Sequence, residues 1–486
     1  MNGSPRSAAL LSTVRPFPTD NGKSVVIAGF LNHLSERLGP SNVHYLHVGE
    51  PFTNVGDFGG IRVHEMGLPG HGEQLRGMVV DAGIGGRSLQ EALTSSALVR
   101  ERVRATLSCL AADVEVIDTV RMVQHVRGTA LTGRRVLYLD DLFSVRYQRM
   151  LEVLERGDAD FDPLGQFCTF VPERLRFLTQ RRLPRRLLLE EELRRITRAE
   201  QAAAQSSDVC VLLSQVEAQL LSAETGARVE VLPPRLPQLL HAPARWTGRP
   251  DFAFVGLLSI PHNHDALTWF VRECLPRLLR RRPDARLHVI GRDASPELLA
   301  HLDAYPESIV QHGFVPDLDT VLGGMAGVIN TLRFGSGLKI KALEALSRGI
   351  PVVATSVGAE GIVSHPRPGM TVADDSDGIV EALVRLSDPI QRALASEDAF
   401  EFYARHYSRD AVARSYDRVF GTRADRSMMS SAVEMNLSGE KRSRATRRAA
   451  LLIARTSSAF SGSRAQRTVA ASASATPAGQ MNPVRP

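Results

Sequence analysis

Between residues 250 and 390 short apolar runs alternate with helical stretches, and this alternation restricts the possible folds more than any other feature. Strands read at 252–255, 286–290, 309–311, 326–330, 351–354 and 370–373, with helices at about 265–282, 296–305, 318–323, 338–348 and 377–386. Strands separated by helices cannot pair as hairpins, so they are expected to lie parallel in a doubly wound sheet with right-handed crossovers. Ligands bind such sheets beyond the carboxyl ends of the strands. Here those ends carry Gly256, Gly291-Arg292-Asp293, His312-Gly313-Phe314, Arg333 to Gly337 and Gly358-Ala359-Glu360-Gly361. Polar residues and glycines therefore gather on one edge.

The stretch from Arg333 to Thr355 carries the most chemistry. Gly335 and Gly337 flank Ser336, so the backbone there can approach a ligand closely, and Ser336 is placed to cap the helix that follows. Gly349 stops that helix, and Pro351-Val352-Val353-Ala354-Thr355 reads as a buried parallel strand. Leu338, Ile340, Ala342, Leu343, Ala345 and Leu346 cover most of the helix circumference, so its charges need an explanation. Lys339 and Lys341 lie in the first turns, where the helix dipole disfavours a cation by roughly 0.3–1 kcal/mol. An anion over the helix start reverses that penalty, and free amides backed by lysines form a phosphate site. Glu344 shares a stripe with Gly337 and Lys341, one turn deeper, where a carboxylate suits sugar hydroxyls such as those of a ribose. The bland alternative is an ion pair between Lys341 and Glu344, with glycines that merely turn the chain.

The first half shows the same alternation less cleanly. Residues 7–14 read as a strand, Arg15 to Lys23 as a loop marked by proline and glycine, 25–38 as a helix and 42–48 as a second strand. Gly22 sits in that loop, where a helix start again meets a strand end. Up to Gly86 the chain is rich in glycine and its pattern is uninformative. Val114–Asp118 and Arg135–Asp141 are short apolar runs ending in acids, and Asp140, Asp141, Ser144, Arg146 and Tyr147 form a polar cluster directly after a strand. A charged helix over 181–205, a strand at 208–213, a helix at 216–221 and a strand at 228–232 lead to a proline-rich linker over 233–250. Residues 391–420 read as helical.

At 486 residues the chain is long enough for two or three domains. The expected division is an N-terminal domain over 1–240, a C-terminal domain over 250–390, a helical segment over 391–420 and a disordered basic tail over 425–486. Cys109, Cys168, Cys210 and Cys274 lack metal-ligand spacing, which argues against zinc or a disulfide framework and favours a reducing compartment. Residues 421–486 hold eleven Lys/Arg against three Asp/Glu, so the tail carries the net charge of +6 and the body is slightly acidic. The body thus gives no case for nucleic-acid binding. No apolar run approaches a membrane span, and the expected location is the cytoplasm. Residues 445–454 could touch an anionic membrane surface through their arginines.

The second half resembles the retaining glycosyltransferases of family 4. The resemblance rests on Phe254-Val255-Gly256, Pro261-His262-Asn263, Trp269-Phe270, Leu287 to Gly291, Gly313 to Val315, Leu332 to Lys341, Leu343 to Ala345, Gly349 to Thr355 and Gly358 to Gly361. Pro16-Phe17-Pro18, Asp20 to Lys23, Asp140-Asp141 and Asp208 to Ser214 extend it weakly into the first half. It implies the GT-B fold, α/β, with two facing Rossmann-like domains. It implies a nucleotide-sugar donor on the C-terminal domain, its diphosphate over Gly335 to Gly337 with Lys339 and Lys341, and its ribose on Glu344. Gly22, Gly256, Arg333 and Glu360 complete the implied donor-binding set. The acceptor, a glycan, a lipid-linked molecule or a small molecule, would bind the N-terminal domain. The segment over 391–420 would cross back to that domain. Asp140, Asp141 and Lys341 are the implied catalytic residues, with no metal and no cofactor. Many relatives carry two glutamates with seven residues between them, and the first would fall at Ser336. Relatives also often have His-Asp where this chain has Asp140-Asp141.

The function expected is transfer of a sugar, with retention, in polysaccharide or glycoconjugate biosynthesis. The alternatives are a catalytically inactive scaffold that binds the donor, and a nucleotide-sugar epimerase. A nicotinamide dehydrogenase ranks last, because no G-x-G-x-x-G follows the first strand of either half.

Overall fold

A computed structural model describes residues 5–421 apart from 20, 130–132, 157–181, 237–244, 364 and 366. The basic tail, its stretch 445–454, Cys168 and the middle of the expected linker lie outside the described residues. The first sheet holds β1 (Ala8–Ser12), β2 (Val43–His47), β3 (Arg62–Glu65), β4 (Val114–Asp118), β5 (Arg134–Asp140), β6 (Val209–Leu212) and β7 (Val229–Val231). The second holds β8 (Asp251–Val255), β9 (Arg286–Ile290), β10 (Ile309–Gly313), β11 (Gly327–Asn330), β12 (Val352–Ala354) and β13 (Met370–Val372).

Every pairing within both sheets is parallel. The orders are β3-β2-β1-β4-β5-β6-β7 and β10-β9-β8-β11-β12-β13. Each sheet therefore reverses its winding direction beside its first strand, between β1 and β4 and between β8 and β11. A crevice opens at such a reversal, outside the carboxyl ends of the strands. The central strands are apolar because both faces are covered: β1, β2, β4 and β11 are buried throughout. The edge strand β3, Arg-Val-His-Glu, is half exposed, and its polar composition kept it out of the sequence reading.

Seven helices matter for the site: α1 (Gly22–Leu38), α2 (Phe143–Arg156), α3 (Arg182–Gln205), α4 (Gln215–Thr225), α5 (Ile340–Ser347), α6 (Pro389–Tyr407) and α7 (Arg409–Phe420). α5 begins two residues later than expected, with Lys339 and not Ser336 at its N-cap. The helix expected at 265–282 is interrupted by a wider π turn at Phe270–Cys274. Pro276, which has no N–H to give, stands at the start of the segment that follows. α7 packs against α1, where Tyr416 and Phe420 meet the ring of Phe30 edge-on at 5.9 and 5.5 Å. Arg134 also donates to the Gly421 carbonyl at 2.6 Å, so the residue after α7 is tied to the first sheet.

Candidate active site

The loop from Arg333 to Lys339 follows β11 and faces the turn that follows β5. Gly335 has φ 136° and Gly337 φ 69°, conformations that side-chain-bearing residues rarely adopt. A Cβ at Gly337 would lie 2.7 Å from the Asp141 Cβ, so this close approach of the two halves needs glycine there. The Ser336 hydroxyl donates to Asp141, and Arg146 Nε donates to the same hydroxyl at 3.1 Å. Arg146 Nη2 also reaches Asp141 Oδ2 at 2.5 Å. Burial alone would raise the Asp141 carboxyl, but Arg146 and the Ser336 hydrogen bond hold it below the usual range.

Asp140 sits beside it with φ 70° and accepts from Tyr138 Oη at 2.7 Å. Burial pushes the Asp140 carboxyl up, against the pull of Lys23, and the charge on Asp141 adds to the push. Two adjacent carboxyls are thereby driven apart, Asp141 downward and Asp140 upward. At the neighbouring strand ends Ser12 Oγ donates to Asp118 at 2.6 Å, and Lys23 lies 3.1 Å from the other oxygen of Asp118. A Cβ on Gly22 would come within 3.2 Å of Ile340, so the start of α1 faces the start of α5 across the crevice.

The two lysines differ. Lys339 Nζ turns back onto the loop and donates to the carbonyls of Ser336 (2.9 Å) and Gly337 (2.5 Å). Burial lowers its amine to about 8. Lys341 Nζ donates to Asn263 Oδ1 at 2.8 Å and lies 4.8 Å from the centre of the Phe254 ring. Burial lowers it to about 7, with the charge of Lys339 acting in the same direction. Among the described residues no carboxylate pairs with Lys341, so the ion-pair alternative with Glu344 is not what forms. Gly256 leaves room for this arrangement, because a Cβ there would stand 2.9 Å from Asn263 Nδ2. The Glu344 carboxyl is raised by burial, and among the described residues no hydrogen-bond donor reaches it.

Arg333 and Glu360 are engaged within the protein. Arg333 Nε donates to Asp265 at 2.8 Å, and its Nη2 donates to the other oxygen of the same carboxylate. Glu360 receives both prongs of Arg149, at 2.5 and 2.7 Å. His262 lies near the Gly335 Cα and stays neutral, since burial and the neighbouring cations push its imidazole far down.

Two carboxylates that the sequence reading missed complete the site. Glu200 of α3 accepts from Phe143 N at 2.7 Å and from Ser144 Oγ at 2.5 Å, and Glu217 of α4 accepts from Leu142 N at 3.1 Å and Gly337 N at 2.7 Å. Both stand at the start of α2, where helix amides favour anions. Burial raises them to about 8 and about 7. No local sequence signal marked them: Glu200 lies on the charged helix over 181–205, and Glu217 on the short helix at 216–221.

Residues 249–388 match the family model described as glycosyl transferases group 1. This stretch is similar to the group 1 glycosyltransferases. A protein from the cps region of Klebsiella pneumoniae is 27% identical over 167 residues, 33% of this chain and 43% of the relative. The match thus spans less than half of that relative's length. The sucrose-phosphate synthase of Thermosynechococcus elongatus superposes with a TM-score of 0.59 at 13% identity, over 88% of this chain and 100% of that one. Anabaena HepE in complex with UDP and glucose gives 0.56 at 13% identity, over 85% and 98%. WaaG, a glycosyltransferase involved in lipopolysaccharide biosynthesis, gives 0.55 at 15% identity, over 85% and 99%. The fold is GT-B, as the resemblance implied. No helix among the described residues is long and apolar enough to cross a membrane.

Proposed function

We propose that the protein transfers a sugar, with retention, from a nucleoside-diphosphate sugar to a glycan, lipid-linked or small-molecule acceptor. The observation that carries this reading is Lys341, a desolvated amine without a carboxylate partner, in the first turn of a helix that opens into the crevice. A diphosphate placed there restores the ammonium charge and meets the free amides of the α5 N-terminus. Glu344, lacking a donor of its own, would take ribose hydroxyls one turn deeper. The donor sugar would then face Ser336, Asp141 and Arg146. The acceptor would approach over Ser12, Lys23, Asp118 and Asp140 on the first half.

In the transfer the acceptor oxygen bonds to the sugar carbon on the face the diphosphate leaves, the bond from that carbon to the diphosphate breaks, and the acceptor's hydroxyl proton passes to the departing diphosphate oxygen. Charge builds on the leaving oxygen, and Lys341 with the helix amides is already oriented to stabilise it without a metal. The cps-region relative supports a polysaccharide or glycoconjugate acceptor. A lipid-linked acceptor would suit the eleven Lys/Arg of residues 421–486, which can draw the protein to an anionic membrane. Deleting 425–486 should then weaken binding to anionic vesicles.

The test is a thermal-shift and turnover screen of nucleoside diphosphates and nucleotide sugars with wild type, Lys341→Ala and Glu344→Gln. A ligand at 100 times its Kd adds about 2.7 kcal/mol of stability. One nucleotide class should stabilise the wild type and both variants should lose most of that shift. No stabilisation by any nucleotide defeats the reading. Binding without hydrolysis or transfer would mark a scaffold, and isomerisation of the bound sugar an epimerase.

A further inference from the structure

Glu217 occupies the first turn of α4, behind the N-cap Ser214. An acid there commonly serves its own helix, but the Ser214 hydroxyl already accepts from Glu217 N at 3.4 Å, and the carboxylate turns away. It is 1% exposed. One oxygen accepts from Leu142 N, the amide directly after Asp141, and the other from Gly337 N, the amide directly after Ser336. A single carboxylate thus ties together the two segments whose side chains, Asp141 and Ser336, meet across the crevice. The charged groups facing it are Asp141 after β5, Lys339 in the loop and Arg149 on α2. Among the described residues none forms an ion pair with it, so its grip consists of one amide hydrogen bond to the loop and one to the turn after β5.

We propose that Glu217 is a positioning residue, which holds the Gly335–Gly337 loop in register with Asp141 from the opposite half of the molecule. The hold depends on the ionised form, because a protonated carboxyl oxygen presents a donor where an amide also points a donor. Burial raises this carboxyl to about 7, and the charge of Asp141 pushes the same way. Above that pH both oxygens accept; below it one of the two amides, Gly337 N in the loop or Leu142 N after β5, loses its acceptor. Asp141, held low by Arg146 and Ser336, stays ionised throughout this window. The consequence for donor binding rests on the function proposed above, whereas the hold on the loop does not.

The two are separable by measuring hydrogen exchange and nucleotide binding on the full chain. Exchange of the peptide covering 333–341, corrected for intrinsic rates, should be about tenfold faster at pH 6 than at pH 8 in the wild type, the effect of one lost hydrogen bond. In Glu217→Gln it should be fast and equal at both pH values, while peptides from β8 and β9 are unchanged. Titration with UDP, GDP and ADP should show weaker binding of the preferred nucleotide in the variant, without the acid-side fall of the wild type. Wild-type exchange that is flat between pH 6 and 8, or a variant loop protected as in the wild type, overturns the proposal. Should Glu217→Gln fail to fold, Glu217→Asp, whose shorter side chain cannot span both amides, takes its place in the same comparison. If no nucleoside diphosphate binds the wild type, the donor reading fails while the exchange result still judges Glu217.

Discussion

Arg149 on α2 and Glu360 after β12 meet in a two-pronged pair that bridges the crevice, and Arg149 also donates to the Gly335 carbonyl at 2.5 Å. Their side chains are only 25% and 15% exposed, so solvent screens the pair weakly. Arg149→Ala or Glu360→Ala should each cost about 1–3 kcal/mol, because each leaves a half-buried charge without its partner. The double variant should cost less than the two singles together. A double-mutant cycle by denaturant unfolding measures this, and strict additivity would show that the bridge contributes nothing.

Gly337→Ala should disable the loop with the fold intact. The residue has φ 69° and the new methyl would press on Asp141, so about 1–2 kcal/mol of backbone cost adds to a clash. Gly335→Ala, whose nearest neighbour is His262 at 3.8 Å, meets the backbone cost alone and should be milder. Nucleotide binding by calorimetry should rank wild type, Gly335→Ala, Gly337→Ala in decreasing affinity.

Nucleotide binding should weaken as pH rises above about 7, where the empty-site Lys341 loses its proton. A bound diphosphate favours the ammonium form and raises its pKa, so binding at pH 8 takes up a proton. Calorimetry at pH 8 in two buffers of different ionisation enthalpy should reveal that uptake, and Lys341→Ala should abolish it. Affinity independent of pH between 7 and 9 would remove Lys341 from the site.

Tyr416→Ala should destabilise the first half although the residue lies near the end of the described chain. The side chain is fully buried against Phe30, and its hydroxyl accepts from Arg235 N at 3.0 Å. A loss of about 3–5 kcal/mol is expected on denaturation, and Tyr416→Phe should cost only about 1–2 kcal/mol. Equal losses would mean that the ring packing is unimportant.

The strands of the second half were legible to within two residues, the inner β8, β11 and β12 because burial on both faces demands continuous apolar runs, and glycines mark where strands end. The same signal failed for β3, an edge strand of Arg62, Val63, His64 and Glu65, because an exposed edge needs no apolar run. It also gave no warning of the helix at Ala97–Leu110, which buries only a narrow stripe of Val99, Val103 and Leu107.

The sequence by itself determined the alternation, hence two parallel sheets with their glycines and charges gathered at strand ends, since these depend on local periodicity and on backbone conformations that neighbouring residues impose. It could also nominate Lys341, whose place in a helix start is a local fact. Only the tertiary structure decided that Lys341 faces Asn263 and a phenylalanine ring rather than an acid, that Ser336 serves Asp141 rather than its own helix, and that Glu360 is held by Arg149. Glu217 and Gly337 are 120 residues apart in sequence, and no local pattern can announce a hydrogen bond between them. Such partners are chosen by how two sheets pack across a crevice, where the cost of burying a charge is settled by whichever group the fold brings opposite it.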